Sequence, residues 1–298
     1  MNTALLLVGT GSGLSHSLYS AVSKLLLNRR ISHPFLFLLY INALQAIITP
    51  VVWCFWRPVL PPLSGWGHIL AAAATCTAAY FFLYMAFSSG DVSSVMPMMG
   101  SKVIFSGLLA RVMMGESHSG SIYIAAVLVA VAVGALSYSP SKGRPGGVAL
   151  KPMGLMLACC VVFGLTDIYI KRSLRYVDPY SFMVYYNALV AVGSLIAIPF
   201  LWKQGVSLRV ERHSLLITLL AAAFLVAATL MFVVSFELAG GVVVPNILMS
   251  TRGVFIVLIS AWMSSRSHMA LDRQSRRIYL LRFAASVLIV FSVWLALR

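Results

Sequence analysis

The chain has 298 residues, of which 60% are hydrophobic and 10% are charged. Soluble globular proteins contain about 45–50% apolar and about 25% charged residues, so this composition excludes a disordered chain, a disulfide scaffold and almost any soluble enzyme. Lysine and arginine number 22 against 7 acidic residues, which gives a net charge of +15. Because these cations fall mainly in short breaks between apolar runs, they indicate membrane topology and lipid-headgroup contact, with no nucleic-acid partner.

Ten apolar runs follow one another along the chain. Each is about as long as the roughly 20 residues that a membrane-spanning helix needs. A backbone in lipid must satisfy its own hydrogen bonds, so we predict an all-α, multi-pass integral membrane protein with ten transmembrane helices. In chain order the predicted spans are 4–26, 34–56, 67–88, 92–114, 121–139, 152–172, 179–201, 214–236, 242–264 and 276–297.

A Pro-, Gly- and Lys/Arg-rich break divides the ten spans into five and five. It predicts a first five-helix repeat over 1–139, a linker loop over 140–151 and a second five-helix repeat over 152–298. Because five is an odd number, the second copy enters the membrane upside down relative to the first. Inverted repeats are typical of secondary transporters, which bind their substrate near the midplane between the two halves.

Short matching sequence segments in the two halves support this duplication. Around Asn42 in the second span and Asn187 in the seventh, proline, tyrosine, asparagine, alanine and leucine recur at a constant offset of 145. The fourth and ninth spans match at an offset of 150, which places Lys102 opposite Arg252. Proline also falls in the first part of both spans, at Pro97 and Pro245, where it permits a kink.

The fourth span ends in the pair Gly115-Glu116. With ten spans in a five-plus-five arrangement, this pair resembles the drug/metabolite transporter superfamily of EamA type. The words from Ser101 to Glu116 and over 250–260 also resemble the sugar-phosphate translocator branch, although that branch tends to carry a Lys-Arg pair where only Arg252 is basic. The resemblance implies a transporter whose path is lined by spans one, three, four, six, eight and nine.

Lys102 and Arg252 are the strongest candidates for solute contact. Both fall near the centre of their spans, where a basic residue costs roughly 2.5–3.5 kcal/mol to insert. The arginine fork suits a carboxylate or phosphate, and the lysine adds a point charge. We expect them to bind the anionic group of a solute. The alternative is a structural ion pair inside the bundle, for example with Asp167.

Asp167 is the only acid that the pattern places deep in a span, and His16 lies in a small-residue stretch of the first span. Either residue is a candidate proton site for coupling transport to a gradient. Asp167 is alternatively a charge partner for Lys171, Lys24 or Arg252. For His16 the alternative is packing through a hydrogen bond.

A second set of polar residues flanks the predicted path. Asn42, Asn187 and Tyr185 lie in spans two and seven, and Tyr80 and Tyr84 lie one turn apart in span three. These side chains are candidates for orienting the polar parts of a solute. The alternatives are interhelical hydrogen bonds for the asparagines and packing for the tyrosines.

We therefore predict a secondary active transporter that moves a small organic anion, phosphorylated or carboxylated, by alternating access, with exchange as one mode. The alternatives are an exporter of amino acids or drugs, a lipid-phosphate flippase and, remotely, an intramembrane enzyme. The chain shows no motif for catalysis, metal binding or a cofactor, so we expect neither enzyme activity nor a cofactor.

The expected partners are the anionic solute and membrane lipids, and a homodimer is compatible with this architecture. The plasma (inner) membrane is favoured, with an organelle membrane as the alternative. For orientation, the positive-inside rule places both termini outside the cytoplasm, whereas the family resemblance implies cytoplasmic termini. We favour the charge count because it is a physical argument.

Overall fold

The computed structural model describes residues 3–29, 31, 33–54, 57–89, 99, 101–117, 119–136, 150–265 and 276–296, and within them every regular element is a helix. The predicted kink at Pro97 and most of the predicted linker 140–151 lie outside the described residues. The helices are α1 Thr3–Arg29, α2 Pro34–Ile48, a 3₁₀ helix Thr49–Cys54, α3 Leu63–Ser89, α4 Lys102–Met114, α5 Gly120–Leu136, α6 Leu150–Ser173, α7 Pro179–Ser194, α8 Ala197–Lys203, α9 Arg212–Ala239, α10 Val243–Met249, α11 Arg252–Ser265 and α12 Arg276–Ala296.

The all-helical prediction is confirmed for the described residues, and several helices are long and apolar enough to cross a membrane. Five segments meet that condition: Pro34–Val51, Leu63–Ala86, Lys151–Ser173, Pro179–Lys203 and Arg212–Ala239. Three shorter apolar helices accompany them, at Gly120–Ala132, Val243–Ile256 and Phe283–Ala296. The chain is therefore a multi-pass integral membrane protein.

Three predicted spans are not continuous α-helices. The second continues as a 3₁₀ helix after Ile48, and the seventh turns at Leu195 and Ile196. The ninth breaks at Ser250 and Thr251, where hydrogen bonds of the i→i−3 type replace the α-helical pattern. The two side-chain hydroxyls there bond to carbonyl oxygens of the preceding turn. Such local bonds compete with the regular helix, which accounts for a break at this point rather than at Pro245.

Small residues bring α1 close to the broken segment. A Cβ atom added at Gly13 would collide with Thr251 Oγ1 and would lie 3.0 Å from the backbone nitrogen of Arg252. Ser17 Oγ donates to the Arg252 carbonyl oxygen at 2.8 Å. Ser12 Oγ donates to the Ala228 carbonyl oxygen of α9 at 2.9 Å. Without bulky side chains at these positions, α1 can pack directly on the start of α11.

The helices pack in a regular set of pairs. The most extensive contacts join α3 with α6, α1 with α9, and α5 with α12. Next come α1 with α11 and α4 with α6, followed by α3 with α7, α2 with α9, and α2 with α7. In addition, α10 contacts α1, α4 and α9, and α6 contacts both α4 and α9. These helices therefore meet in one region, which contains Lys102 and Asp167.

Candidate functional site

Lys102 is the first residue of α4, and its ammonium group is buried among three helices. Its Nζ lies 3.0 Å from Oδ1 of Asp167 on α6, with the two side chains 8% and 2% exposed. The same ammonium lies 4.9 Å from the ring centre of Phe232 on α9 and 5.7 Å from that of Phe163 on α6. A carboxylate and two aromatic faces thus stabilise the lysine charge.

Asp167 is bonded to donors from two further side chains. Ser106 Oγ donates to Oδ2 at 2.8 Å, and Asn246 Nδ2 donates to the same oxygen at 2.9 Å. Ser106 is one turn after Lys102 on α4, whereas Asn246 lies on α10. A buried carboxylate with this set of donors is suited to carry a negative charge. Asp167 therefore links α4, α6 and α10 at one point.

The partner of Asp167 is Lys102 and not Lys171, the lysine one turn later on the same helix. Lys171 Nζ instead donates to the Phe236 carbonyl oxygen of α9 at 2.7 Å. The buried ion pair matches the alternative that the sequence left open for Lys102.

Arg252 starts α11 and is partly buried. Within the described residues its guanidinium has neither an ion-pair partner nor a hydrogen-bond acceptor, in contrast to Lys102. The charges of Lys102 and Arg252 both act electrostatically on His16 and on Cys160. The two predicted cations therefore share a neighbourhood, although only one of them has an acid partner there.

His16 lies on the face of α1 that approaches this region. Its Nδ1 is 3.1 Å from the Ser12 carbonyl oxygen, one turn earlier. Cys160, on α6, is fully buried. These contacts place a helix-bonded imidazole and a buried thiol beside the two cations.

The tyrosines of α3 extend the site on one side. The rings of Tyr80 and Phe163 lie 5.4 Å apart, edge to face, so Tyr80 is one ring away from the Lys102 ammonium. Tyr84 follows one turn later, with its ring centre 6.5 Å from that of Tyr80, and is 3% exposed. Both tyrosines therefore adjoin the ion pair through an aromatic chain.

The asparagines lie in another layer, on α2 and α7, and Tyr185 of α7 faces α3. Asn187 Nδ2 donates to Thr49 Oγ1 across the two segments at 2.8 Å. Asn42 Oδ1 accepts a bond from Gln45 Nε2 of its own helix at 3.1 Å. The ring of Tyr185 packs edge-on against Trp66 at 5.1 Å. The structure does not bring these three residues into contact with the Lys102–Asp167 pair.

Four residues of the site were not predicted. Asn246 and Ser106 donate to Asp167, and Phe163 and Phe232 face the lysine. Asn246 did leave a signal, because it is the one amide side chain in the apolar run 242–264. The two phenylalanines left none, since aromatic residues occur throughout the apolar runs. In the described part of the chain, no three His, Cys, Asp or Glu side chains are placed to hold a metal ion.

Comparison with known proteins supplies a family for the first half and a fold for the whole. Residues 3–138 match the EamA-like transporter family. A crystal structure described only as that of a protein superposes with a TM-score of 0.75 at 15% identity, covering 99% of this chain and 97% of its own. At that identity the likeness establishes the fold alone. No curated protein sequence gave a significant match.

Proposed function

Through residues 3–138 this chain belongs to the EamA-like transporter family of the drug/metabolite transporter superfamily, and we propose that it moves a small organic anion by alternating access. The family is one of membrane transporters of small solutes. The choice of an anion rests on this chain's own charges. The plasma (inner) membrane remains our proposed location.

The observation that carries the proposal is the contrast between the two cations. Lys102 has a carboxylate at 3.0 Å, whereas Arg252 has none within the described residues. A cation inside a membrane protein is costly and is usually paired or faces a water-filled path. An arginine without an internal acid offers a planar fork that fits a carboxylate or a phosphate at two points. We assign the anionic group of the solute to Arg252.

The helix ends strengthen this assignment. Lys102 and Arg252 each stand at the first residue of an α-helix, α4 and α11. The positive end of a helix dipole favours a bound anion, and discontinuous helices of transporters direct such ends at anionic substrate groups. Lys102 adds a second positive charge that Asp167 balances in the state described.

The packing pattern supports two inverted five-helix repeats. Suppose that α1, α2, α3, α4 and α5 correspond in turn to α6, α7, α9, the α10–α11 segment and α12. Replacing each helix of a contacting pair by its counterpart then gives another contacting pair. The α1–α9 contact becomes α6–α3, and the α1–α11 contact becomes α6–α4, both of which occur. The α2–α7 and α5–α12 contacts map onto themselves. This is the pattern expected of a two-fold relation between halves.

We propose that His16, Tyr80 and Tyr84 line the path beside the cations. Two roles are proposed for Asn42, Asn187 and Tyr185: they hold α2 and α7 in position, or they orient the polar part of a solute. Asp167 is the proposed coupling residue, because protonation of its carboxylate would release Lys102 from the ion pair. Exchange of one anion for another is the alternative, since it requires no coupling ion.

A second candidate solute is a zwitterion such as an amino acid. Arg252 suits the carboxylate of such a solute, and its ammonium group could replace that of Lys102 as the partner of Asp167. An amino-acid exporter therefore stays as the alternative to an anion transporter.

The test is thermal unfolding of the purified protein with a panel of probes: a phosphate monoester, a dicarboxylate, an amino acid, an organic cation and a neutral sugar. A solute at about 100 times its Kd adds roughly 2.7 kcal/mol to the stability. We expect the organic anions to stabilise the unchanged protein and R111A but not R252A. Arg111 is a matched control because it is an exposed arginine on α4.

If cations or neutral solutes stabilise the unchanged protein and R252A equally, the anion assignment is overturned. If the amino acid alone stabilises the unchanged protein, the second candidate is favoured. Uptake into proteoliposomes then separates the modes of transport. Preloaded anion accelerates uptake if the protein exchanges anions. A proton gradient drives uptake if Asp167 is coupled, and D167N abolishes that response.

A further inference from the structure

The C-terminal ends of α4, α6 and α9 meet at one mouth of the bundle. Lys171 near the end of α6 donates to the Phe236 carbonyl oxygen near the end of α9 at 2.7 Å. Its neighbour Arg172 donates from Nη2 to the Met113 carbonyl oxygen near the end of α4 at 2.6 Å. The last carbonyl groups of a helix have no partner within it. Here two cations of α6 bond to such carbonyls of two other helices.

Glu116 adds a contact from α4 to the start of α10. Gly115 ends α4 in the left-handed conformation, with φ of 67°, and turns the chain toward α10. Glu116 Oε2 accepts the backbone N–H of Val242 at 3.2 Å. Glu116 and Glu237 attract the Lys171 ammonium at this mouth more strongly than Arg175 repels it.

We propose that Glu116 and Lys171 form a latch that holds this mouth closed, while Arg172 ties α6 to α4 on one side of it. The proposal rests on the alternating access proposed above, because passage of a solute at this end requires α4 and α6 to separate from α9 and α10. The Lys171–Phe236 and Glu116–Val242 contacts cross between these two pairs of helices, and separation would break both of them. The Gly-Glu pair that ends α4 thereby gains a role in gating.

The sequence offers no equivalent latch at the opposite mouth. The first and sixth spans both end in a basic turn, at Lys24 and Lys171, and the offset of 150 places Arg266 opposite Glu116. The side chains of Lys24 and Arg266 lie outside the described residues, but both are cations, and two cations repel. The latch is therefore one-sided, and without solute the protein favours the state that is closed at the α4–α6–α9 mouth and open at the other.

The test uses a thiol beneath each mouth. Leu109 packs with the cluster that contains Phe236 and Val242, and Val22 packs with a cluster that includes Ala221 near the other end of α9. We would measure the alkylation rates of L109C and V22C in nanodiscs without solute, using a membrane-impermeant maleimide. The chain without either substitution gives the background of its four native cysteines.

Removing the latch is expected to expose the first thiol and protect the second. E116A removes the acceptor of a charge-assisted hydrogen bond and should raise L109C labelling by about tenfold or more. E116Q should raise it less, since its amide oxygen can still accept the Val242 N–H. K171M should act in the same direction as E116A. E211A, the loss of an acid at the start of α9, should change neither rate.

Unchanged L109C labelling in both E116A and K171M would overturn the latch. If L109C labelling rises while V22C labelling stays constant, the latch stands but the two mouths do not alternate, and alternating access fails. The latch and the proposed transport mechanism are thus tested separately, and neither result depends on knowing the solute.

Discussion

Lys102 and Asp167 form a buried ion pair between α4 and α6, with Nζ and Oδ1 3.0 Å apart. Asp167 also accepts a hydrogen bond from Asn246 of α10, so a single carboxylate holds three helices together. Breaking this contact would free the ammonium beside Arg252. The pair thus determines how much positive charge the region presents, and any movement of α4 against α6 must change it.

Removing the acid alone should destabilise the protein strongly. D167N leaves the Lys102 ammonium buried without a counter-charge, and such losses cost about 3–5 kcal/mol. The double variant K102M/D167N should be less destabilised than D167N, because it removes both charges. Thermal or denaturant unfolding in detergent measures D167N, K102M and the double variant against the unchanged chain.

The matched control for this cycle is Lys171. Its ammonium bonds to the Phe236 carbonyl oxygen, so K171M and D167N should be nearly additive. Additivity of K102M with D167N would contradict the Lys102–Asp167 pair, and coupling of K171M with D167N would show that Asp167 pairs with the lysine on its own helix.

Replacing Arg252 should not destabilise the protein, unlike replacing Asp167. Within the described residues no acid pairs with the Arg252 guanidinium. The hydrogen bond from Ser17 goes to the backbone carbonyl oxygen of Arg252 and not to its side chain. R252M should therefore leave the Tm without solute unchanged or higher, while it abolishes the stabilisation by an anion. A loss of stability as large as that of D167N would show that the arginine is a structural ion-pair member and would contradict its assignment to the solute.

The sequence was informative about the cations but not about their partners. Lys102 and Arg252 stand out because a charge within an apolar run is costly wherever the helices pack. Which of them pairs with Asp167 depends on the contact between α4 and α6, which spacing along one helix cannot reveal. That spacing left Lys171, the residue one turn away, as one of several possible partners, whereas packing brings Lys102 nearer.

The apolar runs predicted helices well but not their breaks. Neither glycine nor proline marks the interruption at Ser250 and Thr251; competing hydroxyl bonds within the turn accompany it. Asn187 shows the same limit at the level of a contact. Asn187 matches Asn42 in the sequence repeat, yet it donates its hydrogen bond to Thr49. Thr49 lies in a 3₁₀ segment that was predicted to be part of a continuous α-helix.

Asn187 and Thr49 give a prediction about the α2–α7 layer. N187A and T49V should each destabilise the protein by about 1 kcal/mol, because interhelical hydrogen bonds in membranes contribute about 0.6–2 kcal/mol. The double variant should cost less than the sum of the two. S292A is the control, since that hydroxyl bonds only within its own helix. If N187A keeps its stability but loses stabilisation by the solute, Asn187 contacts the solute instead.

Gly13 of α1 should tolerate alanine poorly. A Cβ atom there would collide with Thr251 Oγ1 and would lie 3.0 Å from the Arg252 nitrogen, whereas at Gly154 it would meet nothing within 4 Å. G13A should therefore push α1 away from the start of α11 and destabilise the protein by about 1–3 kcal/mol, the typical cost of overpacking. G154A should be neutral or stabilising by up to about 1 kcal/mol, the gain of alanine over glycine in a helix.

Unfolding of both variants, with and without the stabilising anion, separates packing from binding. The displaced helix carries His16 and contacts the backbone of Arg252, so G13A should also weaken the response to the anion. Thr251→Ala in the G13A background removes the colliding hydroxyl and should restore part of the stability. Equal stabilities of G13A and G154A would show that α1 does not approach α11 as closely as described.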